Sequence, residues 1–276
     1  MGTERKRLDL MLVERGLFVS RSAARAAVMA GLVMVDGKKT DKPGTQVLSD
    51  ATITVTELPR YVSRGGLKLE KALKVFGIDL QGCVAMDVGA STGGFTDCML
   101  QNGAAKVYSI DVGYGQLDWR LRQDSRVVVL ERTNIRHLQP ALITETVQFA
   151  SVDVSFISLA LVLPVLKKLQ IPEVVALVKP QFEVGKGRVG KKGVVRDPAE
   201  HLAVLEKIAG VAAELGYIVA GVDFSPIRGP EGNIEYLLHL LAASTSKAVD
   251  VKAMLATVEA AHQTLTEKRK PANSDE

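Results

Sequence analysis

The sequence predicts an α/β protein: a Rossmann-like, doubly wound sheet of seven strands, parallel except for a terminal antiparallel hairpin, preceded by a small α+β unit. Three observations lead there. From residue 67 onward, buried apolar runs at 83–88, 106–111, 126–130, 148–154 and 173–179 mostly alternate with helical segments, the pattern of a parallel sheet. A helix over 198–215 then leads into two runs, 217–224 and 234–241, joined only by the turn S-P-I-R-G-P-E-G-N, so these strands must pair antiparallel or part company. Residues 5–58 follow a third pattern, of short helices and a hairpin.

In that first segment Leu8, Met11, Leu12 and Val13 have helical spacing and Gly16 ends the helix. Ser20 caps a second helix that stops at Gly31. L-V-M-V-D-G-K reads as a strand entering an Asp-Gly turn, and T-I-T-V-T as an alternating strand. Pro59 and the Gly65–Gly66 pair mark a break. The expected division is 1–58 for the small unit, 59–66 for a linker, 67–270 for the large α/β domain and 271–276 for a disordered tail. The large domain closes on an amphipathic helix over 249–268.

The composition, 47% hydrophobic and 24% charged, is that of an ordinary globular protein. No apolar run reaches the roughly 18 residues that span a bilayer, and the charged start M-G-T-E-R-K-R-L-D-L is not a signal peptide. Two cysteines without C-x-x-C spacing fit a reducing cytoplasm and argue against structural zinc; both are read as small buried hydrophobes. Residues 1–66 carry eleven Lys/Arg against seven Asp/Glu, so the whole net charge of +4 sits in the first quarter of the chain. A second basic run holds Lys186, Arg188, Lys191, Lys192 and Arg196 without an acidic neighbour. Two basic patches point to a polyanionic partner, the alternative being solvated faces.

The strand C-V-A-M-D-V runs into G-A-S-T-G-G-F and then a helix. Gly89, Gly93 and Gly94 permit a sharp turn and close approach of a ligand. Ser91, Thr92 and Phe95 complete a loop whose helix start offers N–H groups to an anion. The spacing G-x-x-x-G-G is not the dinucleotide fingerprint G-x-G-x-x-G. Asp87, an acceptor only, suits the cationic methionine end of S-adenosyl-L-methionine. Asp111 ends the next strand about twenty residues on, where an acid accepts from ribose hydroxyls, and Asn134 lies where an adenine edge is met. The glycine loop alone also fits other nucleotides; Asp111 and the terminal hairpin favour a methyl donor.

Residues 5–40 resemble the small αL RNA-binding domain first recognised in a ribosomal protein, through R-L-D, G-x-x-x-S-R and G-x-V-x-V-x-G-K. That resemblance implies that Lys6, Arg7, Ser20, Arg21, Arg25, Lys38 and Lys39 form a basic face for structured RNA. Phosphate contacts of this kind give affinity and orientation rather than sequence choice. With Y-V-S-R-G-G-L-K-L-E-K-A-L before the glycine loop and V-K-P-Q-F-E-V-G-K-G-R-V-G-K-K-G-V-V-R-D after the fifth strand, residues 5–242 are similar to the TlyA (haemolysin A) family. Its members are ribosomal RNA 2′-O-methyltransferases with an FtsJ-like catalytic domain.

The resemblance implies ribosomal RNA or a ribosomal subunit as the partner, a cytidine as the acceptor, and a basic loop (Lys186, Arg188, Lys191, Lys192) that closes on it. FtsJ-like enzymes carry a Lys–Asp–Lys–Glu set, matched in order by Lys68, Asp153, Lys179 and Glu235. A ribose 2′-hydroxyl is a poor nucleophile, so a lysine that acts as neutral base or as cation toward the developing alkoxide fits the chemistry. Lys179 takes that role, Asp153 orients it, and Lys68 and Glu235 position the nucleotide; no metal is required. Phe156 is a base-stacking or a core residue, and the four histidines are scattered. The alternatives are an RNA-binding assembly factor without catalysis and a membrane-active haemolysin. A third, a base or protein methyltransferase, would show an N-P-P-Y-like motif or an aromatic pocket after the fourth strand, which D-V-S-F does not match.

Overall fold

The computed structural model describes residues 5–56, 60–185, 189–190, 193–242 and 248–267. The chain divides into two compact units, Met1–Arg60 and Tyr61–Glu276.

The first unit contains β1 (Arg5–Arg7), α1 (Leu8–Glu14), α2 (Arg21–Met29), β2 (Val33–Val35), β3 (Lys38–Lys39), β4 (Gln46–Leu48) and β5 (Ile53–Val55). Helices of seven and nine residues do not stand alone in water; fully buried Leu8, Leu12, Ala24, Val28 and Val33 hold them against the strands. Gly16 and Gly31, at φ +70° and +71°, end the helices. Asp36 and Gly37 both have positive φ, the two-residue turn whose twist suits a hairpin, and β2 pairs with β3 across it and with β5 on its other edge. The antiparallel pair β1–β4 is not legible in the sequence, because R-K-R shows no apolar alternation.

The second unit contains α3 (Gly66–Phe76), β6 (Val84–Val88), α4 (Gly94–Gln101), β7 (Lys106–Ile110), α5 (Trp119–Arg122), β8 (Val127–Leu130), β9 (Phe149–Val152), α6 (Leu163–Lys168), β10 (Glu173–Val178), α7 (Pro180–Glu183), α8 (Pro198–Glu214), β11 (Tyr217–Phe224), β12 (Tyr236–Ala242) and α9 (Val251–Glu267). Its seven strands run β11-β12-β10-β9-β6-β7-β8. The five from β6 to β10 are parallel, and β12 is antiparallel to both β10 and β11, as the sequence predicts. Runs such as V-V-A-L-V are buried along their whole length because helices cover both faces of the sheet.

Residues 61–66, expected as linker, belong to this unit. Tyr61 is buried in its core, and α3 opens on Gly66, where a Cβ would lie 2.3 Å from the Tyr61 ring. Cys98 is buried as expected, whereas Cys83 is only half-buried just ahead of β6. Residues 271–276 lie outside the described residues.

Ser20, expected at an RNA face, uses its hydroxyl as the N-cap of α2, accepting from Ala23 N at 3.3 Å. Ser20→Ala should lower the stability of the first unit by about 1 kcal/mol and Ser20→Asp should restore it, as read by denaturant unfolding.

Candidate active site

Strand register builds the site. Val88 pairs with Val152, so the next residues, Gly89 and Asp153, meet at the carboxyl edge of the sheet. Gly89 has φ +90°, and a Cβ there would lie 2.5 Å from the Asp153 carbonyl oxygen. Only glycine lets the loop cross that backbone. Gly93, at φ +94°, is packed against Leu117 and Leu121. The loop is then tied across the sheet: Asp111 accepts from Ser91 N (2.8 Å) through one oxygen and from Gly113 N (2.7 Å) through the other.

A cavity of about 390 Å³ opens beside this loop. Of the residues singled out in the sequence, Gly89, Ser91, Asp111, Asn134, Asp153 and Phe156 line it. Its remaining wall is largely apolar, with Val112, Ile135, Val154 and Ile157, while Gln116 adds an amide that accepts from Ser91 Oγ. A smaller recess of about 120 Å³ is lined by Thr92, Gly94 and Phe95 together with Ser63, Gly65 and Asp153.

Asp87 lines neither cavity. It is fully buried beneath the loop, where it accepts from Thr96 N (2.9 Å), Thr96 Oγ1 (2.7 Å) and Ser151 Oγ (3.3 Å). It holds the start of α4 rather than facing a ligand. Burial pushes its carboxyl up to about 7, against the pull of these hydrogen bonds.

The four charged residues of the Lys–Asp–Lys–Glu pattern converge. Val178 pairs antiparallel with Tyr236, so Lys179 at the end of β10 and Glu235 at the start of β12 fall at the same edge. Lys179 Nζ lies 2.7 Å from Asp153 Oδ1, an ion pair off the hydrogen-bond line, and donates to Ser155 Oγ at 2.9 Å. Lys68 Nζ, from α3, donates to Glu235 Oε2 at 2.6 Å. Burial raises the Glu235 pKa; Lys68 opposes this, and Asp153 and Lys179 also act on it electrostatically, so the two pairs form one charge-balanced group. Glu235 Oε1 has no hydrogen-bond partner among the described residues.

Ser155 was not singled out in the sequence; only the serine of D-V-S-F could have signalled it. The neighbouring Phe156 is not a core residue: it is 90% exposed at φ +65° on the cavity wall. The histidines are less scattered than the sequence suggests. His201 Nε2 donates to Val195 O, so its Nδ1 accepts from Tyr236 Oη at 2.7 Å, with His262 Nε2 3.1 Å from the same nitrogen. Together with Asn233, which bonds Gly193 O and Val195 N, it ties down the described end of the basic run. Lys186, Arg188, Lys191 and Lys192 lie outside the described residues.

In the first unit, Arg7 and Arg21 are brought together on buried Asp9, by three hydrogen bonds of 3.0 Å. The Arg7 contact holds the Asp9 carboxyl down at about 2, against the cost of burial. Lys6 pairs with Glu14 at 2.9 Å. Arg25, Lys38 and Lys39 are exposed, the two lysines on the separate β2–β3 hairpin.

An FtsJ-like methyltransferase model matches residues 61–241 and an S4 domain model matches residues 6–53. YqxC of Bacillus subtilis is 52% identical over 276 residues, covering 98% of each chain. The 16S/23S rRNA (cytidine-2′-O)-methyltransferase TlyA of Mycobacterium tuberculosis is 48% identical over 267 residues, covering 95% of this chain and 98% of its own. A solved structure from Streptococcus thermophilus shares 45% identity with a TM-score of 0.76, covering 98% of this chain and all of that one. Among the described residues no helix is long and apolar enough to cross a membrane.

The Asp87 arrangement carries a pH signature. A folded-state carboxyl pKa of about 7 lies above the ordinary carboxylate value, so the folded state binds the extra proton and stability falls as pH rises from about 4 to 7. In Asp87→Asn this contribution to the fall should be absent when denaturant unfolding is compared at pH 5 and pH 8.

Proposed function

The chain belongs to the FtsJ-like methyltransferases, with an S4 domain ahead of the catalytic unit, and from that membership we infer that it methylates a ribose 2′-hydroxyl in ribosomal RNA, that of a cytidine, using S-adenosyl-L-methionine. The observation that carries this reading is the convergence of Lys68, Asp153, Lys179 and Glu235 as two ion pairs at one sheet edge beside the cavity.

The cavity's chemistry supports the methyl donor. An apolar wall of Val112, Ile135 and Ile157 suits a planar base, Asn134 an adenine edge, and Asp111 a pair of ribose hydroxyls. Asp153 is the acid that remains beside a sulfonium, since Asp87 is buried beneath the loop. The recess at Thr92, Gly94 and Phe95, against the first turn of α4, suits a carboxylate. When bound, S-adenosyl-L-methionine supplies an electrophilic methyl group.

The chain's residues do the rest. Lys179 Nζ, which already grips one hydroxyl oxygen in Ser155, meets the 2′-oxygen and stabilises negative charge as it develops there. Asp153 holds Lys179 in place. Lys68 and Glu235 orient the nucleotide and keep the buried edge neutral, with Glu235 Oε1 left to accept from the substrate. Phe156, exposed on the wall, offers its ring to the base.

The basic S4 unit supports an RNA partner. Arg7 and Arg21, oriented by Asp9, offer guanidinium groups to phosphates, and Lys38 and Lys39 add charge from the hairpin. The basic run Lys186–Arg196 adds a second group of positive charges suited to a polyanion. Lys179→Ala should lower the rate of methyl transfer to ribosomal RNA by about a hundredfold or more, while cofactor and RNA binding stay near those of the unmodified enzyme. A variant that keeps its rate would remove Lys179 from the chemistry.

A further inference from the structure

Lys179 and Asp153 each begin a short segment, and the two segments meet again away from the ion pair. From Asp153 the chain passes through Ser155 and the left-handed Phe156 to Ser158. From Lys179 it turns into α7 and reaches Glu183. There the Glu183 carboxylate, 5% exposed, accepts from Ser158 Oγ (2.6 Å) with one oxygen and from Leu159 N (2.7 Å) with the other. Lys207 Nζ, from α8, donates to the Glu183 carbonyl at 2.8 Å and lies 3.4 Å from its carboxylate. The result is a closed ring, pinned by Lys179–Asp153 at one end and by Glu183 with Ser158 and Leu159 at the other.

Ser155 and Phe156, both on the cavity wall, lie on the stretch of chain between the two pins. Phe156 has a backbone conformation that a bulky residue holds only when its surroundings enforce it. Its ring packs against Phe182 of α7, with centroids 5.0 Å apart. Ser155, the hydroxyl gripped by Lys179, lies outside any strand or helix, between the end of β9 at Val152 and the turn that starts at Leu159. A buried carboxylate spent on a loop end and a surface lysine is costly unless its bonds are all made. Here both oxygens are used, and the neutralising cation is Lys207.

We propose that Glu183 is a positioning residue for methyl transfer, fixing the Ser155–Phe156 segment over Lys179 and so setting where the 2′-oxygen rests. The proposal builds on the catalytic role assigned to Lys179. Glu183 touches neither substrate nor cofactor and acts through Ser158 and Leu159. Misplacement of a reacting group by an ångström lowers a rate by up to about a hundredfold without weakening binding.

The test compares Glu183→Ala, Glu183→Gln, Ser155→Ala and the double variant Ser155→Ala/Glu183→Ala in steady-state methyl transfer to ribosomal RNA. In Glu183→Ala, kcat should fall about tenfold to a hundredfold with KM for RNA and for the methyl donor unchanged. Glu183→Gln, whose amide can still bond Leu159 N and Ser158 Oγ, should recover most of the loss. The double variant should be no slower than Glu183→Ala, because both changes release the same segment. A folded Glu183→Ala protein with an unchanged kcat overturns the proposal, and so does a loss expressed only in KM. Should Glu183→Ala fail to fold, Ser158→Ala replaces it, and strict additivity with Ser155→Ala overturns the proposal. The unmodified enzyme separates the two levels. If it methylates ribose and Glu183→Ala does so equally well, only the role of Glu183 is lost; if it methylates no ribose, the functional reading is lost and this proposal with it.

Discussion

Two ion pairs at one edge of the sheet, Lys179–Asp153 at 2.7 Å and Lys68–Glu235 at 2.6 Å, are the constraint on which the second unit depends. Four charges with little exposure are tolerable only as a neutral set, because removing one partner leaves a buried charge uncompensated. The fold meets that condition through its topology. The parallel register of β6 and β9 delivers Asp153 beside the glycine loop, and inserting β12 antiparallel to β10 returns Glu235 to the edge where Lys179 emerges. A parallel last strand would carry Glu235 to the opposite edge. The terminal hairpin, which looks like a detail of connectivity, is therefore what completes the charge set.

The glycine loop obeys the same geometry. Gly89 is required by the Asp153 carbonyl and Gly93 by two leucine side chains, so the loop is fitted to its own protein before any ligand is considered. Asp87, the most conspicuous acid of the loop in the sequence, belongs to that fitting. It braces Thr96 from below and leaves Asp153 and Asp111 as the acids of the cavity. Strand alternation places a strand residue on one face or the other, but spacing alone does not say whether an acid at a strand end points up into a ligand site or down under the loop.

Much of this was legible in the sequence for one reason: buried parallel strands and glycine turns impose strong local patterns. The five parallel strands, the hairpin, the helix caps and the Lys–Asp–Lys–Glu set follow from such patterns or from the family resemblance they support. What escaped has weak local signals. β1 and β4 are three residues long and one of them is entirely basic. Ser155, Glu183 and the His201–His262 contact depend on tertiary proximity between residues 24 to 61 positions apart. Phe156 is undecidable from its apolar character alone, because exposure, not hydrophobicity, separates a stacking residue from a core one.

The role proposed for this charged edge is to serve a ribose oxygen. It is tested most directly by methylating ribosomal RNA with labelled S-adenosyl-L-methionine, digesting the product to nucleosides and identifying the labelled one. Label should appear in 2′-O-methylcytidine, at a position where the RNA backbone has become resistant to alkaline cleavage. Label in a base-methylated nucleoside, with the backbone still cleaved by alkali at every position, would contradict it.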